Sequence, residues 1–396
     1  MKPALDGITI LDISQGWAGP GSAMLLAEQG AEVIKVEPLE GDQARAFFAH
    51  PPIRGEDRSF LVMNRSKRGI ALNLKEKEGR EILYRLIERA DVLVHNFRPG
   101  VPERLEIDYE AVRRHNPRLI YVALSPFGKK GPYADQPAYD MVIQALTGVF
   151  YRELPDGTPF APGIWISDCS SAIMLAYAIT VALLARERTG VGQQVDLALY
   201  NQALMIQIPD LVRGKGEKLE QDAEPLFLLE LLSPYRCSDG RYIVHAAMTN
   251  RQWEGLCQAL GRNDLAKDPR YDTPLKRAQK GKVLRTELAK AFAERPVDEW
   301  LEPLRKGDVP NAPVLTRDEV FEHPQALENE MIVEVEHPTA GAVKMLGIPI
   351  RLSQTPGAIR GPSPLLGQHT REVLLELGYG EPRIEELRKR GVIRTA

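Results

Sequence analysis

Cysteine is scarce: the 396 residues hold three, Cys169, Cys237 and Cys257, with no CxxC pair among them. That excludes a disulfide framework and a cysteine zinc site, and it fits a reducing compartment. The seven histidines are scattered, and none forms an H-x-x-x-H or H-E-x-x-H pair, so no metal is expected. Excess charge of either sign is missing. With 51 basic and 54 acidic side chains the formal charge is -3, which leaves no basic surplus to neutralise a nucleic-acid backbone. Long apolar runs are missing too. The longest, Ala172 to Ala185, has 14 residues, whereas a membrane helix needs about 20; it reads as a buried helix. Met1 to Gly7 lacks the apolar core of a signal peptide. A soluble, cytoplasmic protein is expected, with no nucleic-acid or membrane partner.

What is present suits a folded chain: 43% hydrophobic and 27% charged residues, at a length that predicts two or three unequal lobes. Ile8 to Ile13 is a β-branched strand, followed by a loop with Gly16, Gly19, Pro20 and Gly21, a helix over Ser22 to Gln29, and a second strand over Ala31 to Val36. Strand, glycine loop, helix, strand is a βαβ unit, which requires a parallel sheet covered by helices. The alternation continues through a helix at Gly79 to Arg89, a strand at Asp91 to His95, a helix at Tyr109 to His115 and a strand at Leu119 to Ser125. A doubly wound α/β core is expected over roughly the first 200 residues.

Beyond Tyr200 the composition shifts. Arg213 to Pro225 is polar and glycine-bearing, Tyr235 to Ala246 reads as a hairpin around Asp239-Gly240, and helices follow near Arg251–Gly261, Lys282–Ala293 and Val297–Lys306. Met331 to Val335 and Ala342 to Ile350 read as paired strands, and two short helices near His369–Leu377 and Glu381–Arg390 close the chain.

Several positions carry chemistry. Gly19-Pro20-Gly21 supplies two glycines of a G-x-G-x-x-G fingerprint and lacks the third, with Glu37 about where a dinucleotide ribose wants a carboxylate. A tight strand-to-helix turn explains the same residues. Asp168 precedes the 14-residue apolar run. Its simplest reading is an N-cap that accepts orphan backbone N–H groups. The same place suits a carboxylate nucleophile, since a helix N-terminus favours its ionised form. Cys169 lies in no histidine-bearing motif and reads as a small hydrophobe. Asn96-Phe97-Arg98 ends a strand, where open α/β sheets place ligands; an amide, an aromatic face and a guanidinium there suit a phosphorylated ligand.

Taken in order, these stretches resemble the class III CoA-transferases, the family of formyl-CoA and carnitine CoA-transferases. The segments are Leu11 to Ser14 through Ala18-Gly19-Pro20; Gly30 to Glu37; Asn64 to Lys75; Asp91 to Gly100; and Ser125-Pro126-Phe127-Gly128 through Asp140. The likeness continues through Asp168, Thr189 to Gln193, and Pro364 to Leu374. It implies a Rossmann-like large domain over 1–205, a linker over 206–224, a smaller α+β domain over 225–324, and a C-terminal return to the large domain over 325–396. It also implies an interlocked homodimer, no permanently bound cofactor, and coenzyme A with a small carboxylic acid as substrates. The donor would be an acyl-CoA such as succinyl-CoA. By resemblance Asp168 is the nucleophile, passing through a mixed anhydride and an aspartyl-CoA thioester, and an ordinary carboxyl pKa near 3.9 keeps it ionised at neutral pH. The CoA-contacting positions fall on Trp17, Ala18, Leu72, Asn73, Lys75, Asn96, Phe97, Arg98, Arg104, Gln136 and Tyr139. Oxalate-using members carry Gln where this chain has Trp17, which argues against formyl-CoA:oxalate exchange. Two other readings stand beside this one: an α-methylacyl-CoA racemase, which has His where this chain has Tyr139, and a non-catalytic acyl-CoA-binding subunit.

Overall fold

The computed structural model describes residues 2–47, 49–151, 153–154, 156–208, 210–216 and 228–396. They divide into two compact units, one of Met1–Val212 with Glu328–Ala396 and one of Arg213–Leu327.

In the first unit, β1 (Thr9–Asp12), β2 (Glu32–Glu37), β3 (Arg68–Leu72), β4 (Val92–His95), β5 (Ile120–Ser125) and β6 (Gln194–Ala198) pair in parallel, in the order β3-β2-β1-β4-β5-β6. Between them run α1 (Ala18–Glu28), α2 (Lys77–Ile87), α3 (Asp140–Leu146) and α4 (Ile166–Thr189), and α5 (Leu199–Met205) follows β6. Successive residues of a strand point to opposite faces, and here each face has its own core. Ile10, Val33, Val92 and Ile120 form one row, packed with Ala23 and Leu26 of α1 and Leu175 and Ile179 of α4. The adjacent row, Leu11, Ile34, Leu93 and Tyr121, packs with Ile82, Leu83 and Leu86 of α2. Strands buried on both faces read as near-continuous apolar runs, which is why β1, β4 and β5 stand out in the sequence.

The chain starts at β1 and builds outward to β3, then returns to build β4 to β6 on the other side. The strand order therefore reverses between β1 and β4, and the loops leaving their C-terminal ends diverge to leave a crevice.

The second unit holds a three-stranded antiparallel sheet of β7 (Tyr235–Arg236), β8 (Tyr242–His245) and β9 (Asn311–Pro313). The Asp239-Gly240 turn between β7 and β8 is present, with Gly240 at φ +83°, a left-handed conformation that suits glycine. Helices α6 (Asn250–Ala259), α7 (Gly281–Phe292) and α8 (Val297–Lys306) bury Trp253, Leu256, Leu288, Phe292 and Trp300 in its core. A Thr249–Gln252 capping box starts α6.

Back in the first unit, β10 (Ile332–His337) and β11 (Gly341–Leu346) form an antiparallel hairpin. Helices α9 (Thr370–Glu376) and α10 (Glu381–Lys389) join the α2 side of the main sheet through Val373, Leu374, Ile384 and Leu387, and β12 (Ile393–Arg394) adds antiparallel to β3. The result is a mixed α/β unit whose main sheet is parallel except at that last edge.

Two expectations are corrected. Helix α1 begins at Ala18, so Gly19, Pro20 and Gly21 lie in its first turn and not in a loop. A proline is tolerated there because first-turn N–H groups have no helical partner. A Cβ on Gly19 would come 2.2 Å from Ser14 Oγ, so glycine lets the helix start close against the loop after β1. Helix α4 begins at Ile166 and spans 24 residues. It is long and apolar enough to cross a membrane, yet only a third of its most apolar stretch is buried. One face packs on the sheet, while Ile173, Tyr177, Val181 and Leu184 are exposed, so it is not a fully buried helix. Residues 209 and 217–224 of the expected linker over 206–224 lie outside the described residues.

Candidate active site

A cleft of about 590 Å³ opens at the strand-order reversal. Its walls come from the loop after β1 (Gln15, Gly16, Trp17, Ala18), the loop after β4 (Asn96, Phe97, Arg98), the turn after β5, the approach to α3 (Gln136, Tyr139, Asp140) and the start of α4 (Trp165, Asp168). Eight of the sequence-derived site residues meet here: Trp17, Ala18, Asn96, Phe97, Arg98, Gln136, Tyr139 and Asp168. Leu72, Asn73, Lys75 and Arg104 do not line it. Leu72 is 1% exposed and packed in the apolar core, so its side chain has no surface to offer a ligand. Asn73 is engaged with backbone, donating to Gly391 O of the C-terminal segment at 3.4 Å and accepting the Lys75 N–H at 3.2 Å. Lys75 and Arg104 are exposed cations outside the lining.

The loop after β1 is held by buried charge. Lys67 Nζ donates to Asp12 Oδ2 and Pro20 O, both at 2.8 Å, and to Asn64 Oδ1 at 3.0 Å. Lys35 Nζ donates to Asp42 Oδ2 at 2.8 Å and to Ser14 O. Asp42 Oδ1 in turn accepts the Gly16 N–H at 3.0 Å. All four charged side chains lie in the interior, where each ion persists because it is paired and hydrogen-bonded. Burial alone would raise the pKa of Asp12, but Lys35 and Lys67 outweigh it and the net shift is downward. Burial pulls Lys67 down to about 8. The network thus fixes Gly16 and the first turn of α1 at the cleft wall.

Asn96 works toward the same end. Its side-chain amide donates to Gln15 O at 2.7 Å, and its carbonyl accepts the Gln15 N–H at 2.9 Å. This clip ties the β1 and β4 loops together and uses the side-chain amide that the sequence suggested for a phosphorylated ligand. Below it, His95 is buried, and desolvation lowers its pKa to about 3. Neutral at all ordinary pH, it accepts the Phe97 N–H on Nδ1 at 3.2 Å and shapes the turn that presents Phe97 and Arg98.

Asp168 sits in the first turn of α4, two residues inside the helix, and forms no cap: the N-cap is Trp165, without a side-chain cap bond. The N-cap reading is overturned by the helix starting earlier than the apolar run. The carboxylate that serves this helix end is Asp140 of α3, whose Oδ2 accepts the Asp168 N–H at 2.9 Å. Asp140 is 1% exposed, and Gln144 holds its other oxygen while donating to Ile164 O at 2.9 Å. Burial raises the pKa of Asp140, against the opposing pull of these donors. Asp168 is half-buried at the cleft wall. Burial first, then the Asp140 charge, pushes its carboxyl up to about 7, which corrects the expectation of an unperturbed carboxylate near 3.9. The Cys169 thiol beside it is also raised, by burial and then by Asp168 and Asp140, which keeps it protonated.

Asp140 and Trp165 escaped the sequence reading as site residues. The signal for Asp140 was present: an acid in the first turn of a helix with Gln144 one turn on, in a segment already singled out for Tyr139. Two aromatic pairs line the cleft along with Asp168. Trp17 and Trp165 meet edge-on with ring centroids 4.8 Å apart, and Phe47 and Tyr139 do the same at 6.2 Å. Among the described residues no group of three or more His, Cys, Asp or Glu side chains is placed to hold a metal.

Chemically, the cleft joins a carboxylate of raised basicity, one guanidinium, the N-terminal end of α1 and an aromatic wall. Comparison with known proteins gives the class. The family model described as CoA-transferase family III matches residues 5–370. A formyl-CoA:oxalate CoA-transferase of Streptomyces coelicolor is 34% identical, over 98% of this chain and 99% of that protein. The succinyl-CoA:glutarate CoA-transferase of Mus musculus is 35% identical over 99% and 91%, and a succinyl-CoA:mesaconate CoA-transferase of Haloarcula marismortui 36% over 96% and 99%. The crystal structure of a CAIB/BAIF family protein from Brucella suis superposes with a TM-score of 0.82 at 31% identity, covering 95% of this chain and all of that one. The chain belongs to CoA-transferase family III and is a CoA-transferase, an enzyme whose substrates are CoA thioesters.

Proposed function

We propose that Asp168 is the covalent catalyst of acyl-CoA:carboxylate CoA exchange. The observation that carries this is a carboxylate at the cleft wall whose basicity is raised by burial and by Asp140. Ionised Asp168 attacks the thioester carbonyl of the donor. A C–O bond forms, the C–S bond breaks, and CoA leaves as thiolate with the electron pair, giving a mixed anhydride. The thiolate then attacks the Asp168 carbonyl carbon, expels the donor acid as carboxylate and leaves an aspartyl-CoA thioester. The acceptor carboxylate repeats the first step on this thioester, and the thiolate attacks the acceptor's acyl carbon to release the new acyl-CoA and Asp168. Every nucleophile and leaving group is an anion, so no proton is consumed. A carboxylate of raised basicity is the better nucleophile once ionised. Asp140 positions Asp168 through its backbone N–H.

Arg98 and the N-terminal end of α1 suit the CoA pyrophosphate, since a guanidinium and unpaired helix N–H groups both bind phosphate oxygens. Phe97 and Tyr139 offer aromatic faces to the adenine or pantetheine. Lys75 and Arg104, outside the cleft but exposed, suit the outer phosphate, and Asn73 the backbone around it. The donor thioester in the names of two relatives, succinyl-CoA, heads the starting panel of donors.

The exposed stripe of Ile173, Tyr177, Val181 and Leu184 recurs at helical spacing along α4. Such a surface is costly in water, and a second copy of the chain is the occupant the family resemblance implies, in an interlocked homodimer with Rossmann-like large domains. The three free cysteines suit a reducing cytoplasm.

The test is Asp168→Asn with CoA transfer followed by mass of the product thioester. Loss of transfer with CoA binding retained is expected. Transfer near the wild-type rate removes Asp168 from the chemistry.

A further inference from the structure

We infer that the acid exchanged here carries a single carboxylate on an apolar, ring-sized body, as an arylalkanoic acid does. This deepens the transfer reading and rests on it. The relatives are named for dicarboxylates (oxalate, glutarate and mesaconate), so it departs from them.

Charge is the first argument. When the acceptor enters, Asp168 is a thioester, and the lining keeps two free acids, Asp135 and Asp140, against one cation among the described lining residues, Arg98. In the transfer reading Arg98 serves the CoA phosphates. The second carboxylate of a diacid would then lie desolvated in a field of its own sign, with no cation to receive it. Burial of an unpaired carboxylate is strongly unfavourable.

Shape is the second. Trp17 with Trp165, and Phe47 with Tyr139, put two edge-on aromatic pairs into the cleft that holds Asp168. Flat rings add to such pairs edge-on or offset, contributing beyond simple area burial. Burying apolar surface contributes roughly 25 cal/mol per Å². The wall that repels a second charge therefore attracts a ring.

The experiment offers the enzyme acetyl-CoA with equimolar 3-phenylpropionate and glutarate and weighs the product thioesters by mass spectrometry. 3-Phenylpropionyl-CoA should exceed glutaryl-CoA by at least about 10-fold, and the ratio should fall toward unity in Trp17→Ala and Trp165→Ala. Equal or greater glutaryl-CoA, or a ratio unmoved in both variants, overturns the inference while leaving CoA transfer intact. If neither acid is converted from acetyl-CoA, binding replaces turnover as the readout. Tryptophan fluorescence of the CoA-loaded protein then decides the acid class: 3-phenylpropionate must bind at least about 10-fold more tightly than glutarate, and equal or weaker binding overturns it.

Discussion

Removing the Asp140 charge should shift the pH dependence of transfer toward acid. Asp168 rises from 3.8 to about 7, with burial the larger cause and Asp140 the smaller. Asp140 therefore accounts for less than half of a rise of about three units, and Asp140→Asn should lower the Asp168 pKa by roughly one unit. The asparagine keeps an oxygen to accept the Asp168 N–H, now 2.9 Å from Asp140 Oδ2, so the helix end stays in place. Only ionised Asp168 attacks the thioester, so wild-type kcat/KM should rise with pH through an inflection near 7. At pH 6 about a tenth of wild-type Asp168 is ionised against about half in the variant, an excess of roughly five-fold for the variant, vanishing by about pH 8. The assay is kcat/KM for donor acyl-CoA from pH 5 to 9, with circular dichroism to check folding. An unmoved inflection, or one displaced to higher pH, would refute the assignment of Asp140 as the group that raises Asp168.

Arg98→Ala should raise KM for acyl-CoA by roughly 10- to 100-fold with little change in kcat, as expected for a lost charge-assisted phosphate contact; initial rates across acyl-CoA concentrations check it. Asp42→Ala leaves Lys35 with Asp12 at 3.9 Å and frees the Gly16 N–H. It should cost about 3–5 kcal/mol and lower the thermal midpoint by several degrees, whereas Lys35→Met with Asp42→Leu should recover most of that loss. Tyr177→Glu puts a charge into the exposed α4 stripe, and sedimentation should show monomers for the variant and dimers for the unaltered chain.

The βαβ order of the first strands was legible because strands covered on both faces are β-branched runs: Ile8–Ile13 and Leu119–Ser125 contain the observed β1 and β5, and Ala31–Val36 covers β2 except its last residue, Glu37. Both hairpins were legible, one from its Asp239-Gly240 turn and the other from the paired runs Met331 to Val335 and Ala342 to Ile350. β12 was not: two residues have no periodicity, and they pair only because α9 and α10 bring the chain back beside β3. The start of α4 was misplaced because Ile166–Ser171 is polar enough to read as a loop, while the helix continues through it with Asp140 receiving the Asp168 N–H. That contact joins residues 28 positions apart, and the Asp140 charge that helps to raise the Asp168 pKa acts between the same two segments. Leu72 was misread for the converse reason: a strand-end position in a matching segment gives no sign that its side chain turns into the core. Local pattern located the cleft's loops; which of their side chains reach the cleft depended on packing between distant segments.

The covalent role of Asp168 is tested most directly by trapping. Enzyme mixed with donor acyl-CoA and hydroxylamine, then digested and sequenced by mass spectrometry, should carry a hydroxamate on the Asp168 side chain, dependent on the donor and absent from Asp168→Asn. Steady transfer activity in the same sample with that peptide unmodified would contradict the account.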